Sequence, residues 1–192
     1  MIIIGLTGHA FAGKDTVGSY LAGFYDFKVM AFADPIRAAI GVAFGLMPSH
    51  FKPENKEAVI DWIGKSPRQL MQSFGTEWGR AHVANDIWVR AMEKKLDTER
   101  RRGTGAVVIT DVRFPNEAEL VRNLGGEVWR IIRPEAATTQ HAGHASERSG
   151  DAILPDYALF NTGTIEELEQ QADHQMTRII VEMEQSARRM RG

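Results

Sequence analysis

Cysteine is absent from the 192 residues, so the chain can form neither a disulfide nor a thiolate-bound metal site. The same absence fits a reducing compartment. A basic surplus is also missing. Lys and Arg number 23 against 25 Asp and Glu, for a net charge of −2, which argues against a general polyanion or nucleic-acid binder. Long hydrophobic runs do not occur. The opening segment, residues 1–8, has only a short apolar stretch without a positively charged flank, and is expected to be neither a signal peptide nor a membrane span. Repeats, linkers and low-complexity tracts are missing as well. The expectation is one soluble intracellular domain over residues 1–192, large enough at 21.4 kDa to bury a substantial core.

Short apolar runs alternate with helical patterns along the chain. Strands are predicted at 2–6, at 27–32 with Val29 and Phe32 as apolar anchors, and at 106–110, 127–132 and 157–160. Helices are predicted at 16–23, 36–44, 86–100 and 115–124, with others opening at Ser66 and Thr164. Asp34-Pro35 reads as an N-cap followed by proline at the first helical position. Ser66 with Gln69 and Thr164 with Glu167 have capping-box spacing, and Gly125-Gly126 reads as a helix stop. After Thr164, the residues Ile165, Leu168, Ala172, Met176, Ile179 and Met183 share one helical stripe. Trp62, Trp78, Trp88 and Trp129 are expected mainly in the core, with Trp78 and Trp88 the two candidates for stacking on a base. The alternation implies a three-layer α/β/α domain, a parallel five-stranded sheet with helices on both faces. The basic stretches at 100–102 and 188–191 read as solvated helix ends.

The chemistry is concentrated at Gly8-His9-Ala10-Phe11-Ala12-Gly13-Lys14-Asp15-Thr16, between the first strand and first helix. Glycines there let successive N–H groups turn inward, the helix N-terminus adds positive potential, and Lys14 can reach the β- and γ-phosphates of a nucleoside triphosphate. Asp15 stands where the strict pattern has Ser or Thr to ligate Mg²⁺. A carboxylate in that slot repels phosphates unless Mg²⁺ or an arginine lies between, so Asp15 is expected to reach the metal through water or to orient the acceptor. Thr16 offers a hydroxyl one residue late. No N-K-x-D motif occurs, and Asp111-Val112-Arg113-Phe114 is not D-x-x-G, which argues against a GTPase. Arg37, Arg68, Arg113, Arg133 and Arg148 fall near predicted strand ends and helix starts, the set needed to gather two anionic substrates.

These blocks, with Phe32-Ala33-Asp34-Pro35-Ile36-Arg37, Arg68-Gln69-Leu70-Met71-Gln72, Gly75-Thr76, Asn116-Glu117, His144-Ala145-Ser146-Glu147 and Asn161-Thr162-Gly163-Thr164, resemble the bacteriophage-type deoxynucleoside monophosphate kinases. The resemblance runs in order over about 3–170, nearly the whole chain. It implies a P-loop kinase fold and Mg²⁺-dependent transfer of the ATP γ-phosphoryl group to a deoxynucleoside 5′-monophosphate, in the cytoplasm of a phage-infected or prophage-carrying bacterium. Carried over by block, Gly8, Ala12, Gly13, Lys14, Asp15 and Thr16 would hold the ATP phosphates, with Asp15, Thr16 and Asp111 toward the metal, through water where needed. Asp34, Arg37, Arg68 and Gln72 would lie in an acceptor-binding helical part at about 34–100, joined by Trp78 or Trp88. Lys14, Asp15, Asp111 and Arg113 would form the catalytic group between the two nucleotides, and Asn161, Thr162 and Gly163 would flank the adenine. The long loop at about 134–156 would be a lid carrying His144, Ser146 and Glu147, with Arg133 and Arg148 over the phosphates. His141, His144 and Glu147 read as hydrogen-bonding lid residues rather than a metal site, for want of a helical i, i+4 pair. Two other readings share the loop: a kinase of another phosphorylated acceptor, as in animal-type phosphomevalonate kinases, and a non-catalytic nucleotide-binding adaptor. The apolar pattern does not decide between a monomer and a homodimer.

Overall fold

A computed structural model describes residues 1–134 and 150–189. Five strands, β1 (Ile2–Thr7), β2 (Lys28–Met30), β3 (Ala106–Ile109), β4 (Glu127–Ile132) and β5 (Tyr157–Phe160), form one sheet in the order β2-β3-β1-β4-β5. All neighbours are parallel, with Ile3 opposite Val107 and Leu6 opposite Trp129. The central strands are apolar because both of their faces are covered. Their alternation sorts the side chains into two cores. Ile3, Val107 and Ile109 face one core with Met92 and Leu96 of α4 (Ile87–Arg101) and Val121 of α5 (Pro115–Asn123). Ile4, Leu6, Val108 and Trp129 face the other, against Val17 and Leu21 of α1 (Lys14–Tyr25) and Leu168, Ala172 and Met176 of α6 (Ile165–Arg189). This is the predicted three-layer arrangement.

A helical insertion lies between β2 and β3. It runs through α2 (Asp34–Phe44), a 3₁₀ turn (Pro48–Phe51) and α3 (Pro67–Gln72). The chain continues without a break into a wider π-helical stretch, Ser73–Val83, that ends with Ala84 N–H donating to the Gly79 carbonyl at 3.0 Å, and then into α4. The Ser66–Gln69 capping box forms as its spacing predicts: Gln69 N–H donates to Ser66 Oγ at 3.3 Å and Ser66 N–H to Gln69 Oε1 at 2.9 Å. The Thr164–Glu167 box forms in the same way. Left-handed glycines end α2 at Gly45 and follow α5 at Gly125.

Some expectations are corrected. β2 ends at Met30 rather than Phe32, because the N–H groups of Phe32 and Ala33 leave the ladder for the Asp111 carboxylate, at 2.7 and 3.0 Å. Val29 is 49% exposed, since β2 is an edge strand. Asp34 is the first residue of α2 rather than its cap. Trp62 and Trp78 are 71% and 48% exposed and stand outside the core, unlike buried Trp88 and Trp129. Met183 lies on the α6 stripe yet is exposed, because a 25-residue helix is about 37 Å long and outruns the sheet. Ile165, the first residue of the helix, is exposed where α6 begins at the strand ends. Among the described residues no helix is long and apolar enough to cross a membrane.

Trp129 is fully buried in the α1–α6 core, with its indole N–H donating to Glu127 at 2.9 Å. Trp129→Ala is expected to cost roughly 3–5 kcal/mol in urea unfolding. A loss under about 1 kcal/mol would mean that this core relaxes into the space.

Candidate active site

The loop after β1 can form only with little side-chain bulk at two points. Gly8 has φ 140° and a Cβ there would lie 2.5 Å from the Ile131 carbonyl oxygen; Gly13 has φ 109° and a Cβ there would lie 2.7 Å from Asn161 Nδ2. Between them Phe11 takes a left-handed φ of 63° at the exposed tip of the loop. Asn161, just past β5, donates its side-chain amide to the Ala12 carbonyl at 2.8 Å and so ties the far strand to the loop. Lys14 opens α1, and its ammonium donates to the Gly8 and His9 carbonyls at 2.7 and 2.6 Å. The lysine therefore lies over the curled loop, at the positive end of α1.

A cavity of about 720 Å³ opens at the carboxyl ends of the strands, beside the point where the strand order changes sides at β1. Gly13, Lys14, Asp15 and Thr16 line one side. Arg37, Arg68, Gln72 and Trp88, from the residues between β2 and β3, line the other, with Asp111 and Arg113 past the end of β3 between them. Arg133 past β4, and Asn161, Thr162 and Gly163 past β5, line the cavity on the far side of the loop. Gly8 and Ala12 shape the loop from behind without lining the cavity.

Two predicted acceptor residues lie elsewhere. The Asp34 carboxylate is engaged by the Ala31 N–H at 3.0 Å, Lys95 at 2.8 Å and Arg37 at 2.9 Å, and it faces a separate, mostly apolar cavity of about 310 Å³. Trp78 stacks on Phe74 at a centroid distance of 4.7 Å and does not line the main cavity. Trp88 is a fixed wall of it: its indole N–H donates to the Gly75 carbonyl at 2.7 Å, and Gly79 lies so close that a Cβ there would meet the ring at 2.6 Å. Arg148, His144, Ser146 and Glu147, with most of the expected lid, lie outside the described residues. At its carboxyl end, Ile153 is buried in the core and the Gly150 and Ile153 carbonyls accept from Arg130.

Asp111 is buried and positions the site, since its two oxygens hold the Phe32 and Ala33 N–H groups at the start of α2. Among the described residues no group of three or more His, Asp or Glu is arranged to hold a metal. Of the three residues expected toward a metal, Asp15 and Thr16 line the cavity at the N-terminus of α1, and Asp111 lines it with both oxygens already accepting backbone N–H groups. Such a set suits Mg²⁺, which takes one or two protein oxygens and fills its shell with phosphate and water.

Three polar residues around the cavity were given no role from the sequence: Arg80, Lys56 and Glu117, the last quoted only within the Asn116-Glu117 block. Arg80 is buried, pairs with the buried Glu117 carboxylate, and stacks over the Phe114 ring at 3.9 Å. Glu117 also accepts the N–H groups of Arg113 at 2.7 Å and Phe114 at 3.1 Å. It thereby fixes the turn that presents Arg113. The signal for Glu117 was its place beside Asn116 after D-V-R-F; Arg80, on the π-helical stretch, gave none.

Burial pushes the Glu117 carboxyl up from the ordinary 4.5 to about 7, against the pull of Arg80 and the two N–H groups. A raised carboxyl pKa means that the folded state holds the proton more tightly than the unfolded one. The stability Glu117 contributes is thus fully present below about 4.5 and is lost as the pH rises toward 7. Wild type should lose thermal stability relative to Glu117→Gln across that window. A gap that does not change with pH would show that Glu117 titrates alike in the folded and unfolded states, with no upward shift.

The fold overlays on the crystal structure of TT1252 from Thermus thermophilus with a TM-score of 0.52 at 20% identity, covering 92% of this chain and 97% of that one. A protein of Acanthamoeba polyphaga mimivirus described as a deoxynucleotide monophosphate kinase is 34% identical over 185 residues, covering 87% of this chain and 92% of the mimivirus protein. The deoxynucleoside-5′-monophosphate kinase of Escherichia phage T5 is 35% identical over 121 residues, covering 60% of this chain and 47% of the phage protein. The profile of the deoxynucleotide monophosphate kinases matches residues 51–172, which take in Arg68, Arg80, Asp111, Arg113, Glu117 and Asn161. With the phosphate loop and the cavity already in place, the chain belongs to the deoxynucleotide monophosphate kinase family.

Proposed function

We propose that the chain transfers the γ-phosphoryl group of ATP to a deoxynucleoside 5′-monophosphate and releases ADP and the deoxynucleoside diphosphate. One observation carries this reading. A single cavity has the glycine-rich loop with Lys14 on one wall and a separate group of cations, Arg37 and Arg68, on another. A passive nucleotide-binding module needs the first wall but not the second.

The loop N–H groups and Lys14 bind the β- and γ-phosphates. Asp15 and Thr16 would hold Mg²⁺, which when bound would supply positive charge against the phosphates. Arg68, helped by Arg37 and Gln72, binds the acceptor phosphate; the Arg68 Nε already contacts the Glu57 carboxylate, which holds the guanidinium in place. Asn161, Thr162 and Gly163 flank the adenine. An oxygen of the acceptor phosphate attacks the γ-phosphorus in line, and the bond to the ADP oxygen breaks. The nucleophile is already anionic, so no side-chain base is required. Arg113, held by the Glu117 turn, and Arg133 stabilise charge on the transferring group. Asp111 acts through the backbone of Phe32 and Ala33.

Lys14→Ala should lower turnover by about 10³-fold or more with an unchanged unfolding curve; near-normal activity would remove the phosphate-loop assignment. Arg68→Ala should raise KM for the monophosphate by about tenfold or more while KM for ATP changes little. Equal losses for both substrates would place Arg68 outside the acceptor site.

A further inference from the structure

Lys56 has no part in the mechanism above, yet it lines the same cavity. It lies in the irregular stretch that leads into α3, and two contacts fix its surroundings. Its carbonyl accepts the Arg68 N–H at 2.9 Å, so the two cationic residues are joined through their backbones. Its ammonium lies 5.2 Å from the centre of the Phe11 ring, at the left-handed tip of the phosphate loop. Lys56 thus spans from the acceptor wall to the donor loop. The charged groups acting on it come from each element around it: Arg68 at the start of α3, Arg113 in the turn after β3, Asp15 at the start of α1, and Glu57 beside it in the chain. Two of these are cations facing the same space. An anion placed between Lys56, Arg68 and Arg113 relieves their mutual repulsion, and the only anions the reaction brings there are phosphates.

We propose that Lys56 is a substrate-contacting cation that, together with Arg68, binds the phosphate of the acceptor monophosphate and sets it against the tip of the donor loop. This rests on the assignment of the Arg68 wall to the acceptor. The cation–ring contact holds the ammonium at the loop tip before the acceptor arrives. Binding of the phosphate then replaces a weak ring contact with a charged hydrogen bond. Burial and the charges of Arg68 and Arg113 also lower the Lys56 pKa, so its contribution fades at a lower pH than an ordinary lysine's would.

The test compares wild type, Lys56→Met, Lys56→Arg and Arg68→Ala in steady-state kinetics with ATP and a deoxynucleoside monophosphate, alongside thermal unfolding. Methionine keeps an unbranched apolar stem and removes the ammonium with its charge. Lys56→Met should raise KM for the monophosphate about tenfold or more, with KM for ATP and the unfolding temperature unchanged. Lys56→Arg should restore most of the loss and move the alkaline fall in kcat/KM for the monophosphate to higher pH. A monophosphate KM within about twofold of wild type in Lys56→Met overturns the proposal, as does an equal rise in both KM values, which marks a prop for the loop instead. If Arg68→Ala loses the acceptor and Lys56→Met does not, Lys56 alone is misassigned. A wild type that phosphorylates no deoxynucleotide overturns this proposal together with the reading beneath it.

Discussion

The close approach of the β1 turn to its neighbour strands governs the site. The first glycine of the loop lies against the Ile131 carbonyl of β4, and the second lies against Asn161 just past β5. A side chain at either point would push the loop off the edge of the sheet. α1 would then no longer direct its N-terminus into the cavity, and Lys14 would lose its place over the Gly8 and His9 carbonyls. Parallel pairing makes this arrangement available: all five strands end on the same side, so a loop packed on β4 and β5 also faces the ends of β2 and β3. Both sides of the cavity are set by the carboxyl ends of one sheet.

The second half is built differently. Its cations sit on a helical insertion and on the turn after β3, and buried carboxylates hold those parts in register. Asp111 binds the backbone at the start of α2, which carries Arg37. Glu117 binds the backbone of Arg113 and pairs with Arg80 from the insertion. Each carboxylate joins two segments that are far apart in sequence. A buried ion pair is weak evidence for net stability, because desolvation offsets much of its attraction. Its value here lies in direction, since it holds the Arg113 turn against the insertion at the cavity.

Local signals in the sequence were clear where neighbours in the chain make the structure. The bounds of β4 and β5, the boxes at Ser66 and Thr164 and the glycine helix ends all depend on a few adjacent residues, and the structure forms them as read. The glycine turn between β1 and α1 was legible for the same reason, with Gly8 and Gly13 at positive φ and Lys14 opening the helix. Long-range bonds were not. β2 is short because Asp111, some eighty positions away, takes the N–H groups of Phe32 and Ala33. The family resemblance put Asp34 in the acceptor-binding part, but Lys95 draws it toward a different cavity. Lys56, Arg80 and Glu117 meet the site only through tertiary packing. Tryptophan burial likewise depended on the partner surface: Trp88 has Gly79 and the Gly75 carbonyl against it, whereas Trp62 has little cover.

The most direct measurement is ADP release with ATP and Mg²⁺, assayed without an acceptor and then with dGMP, dTMP, dCMP, dAMP and phosphomevalonate in turn. The expected result is turnover with one or more deoxynucleotides, little ADP formed without an acceptor, and none with phosphomevalonate. ATP binding with no turnover on any deoxynucleotide would contradict a cavity that brings two phosphorylated substrates together.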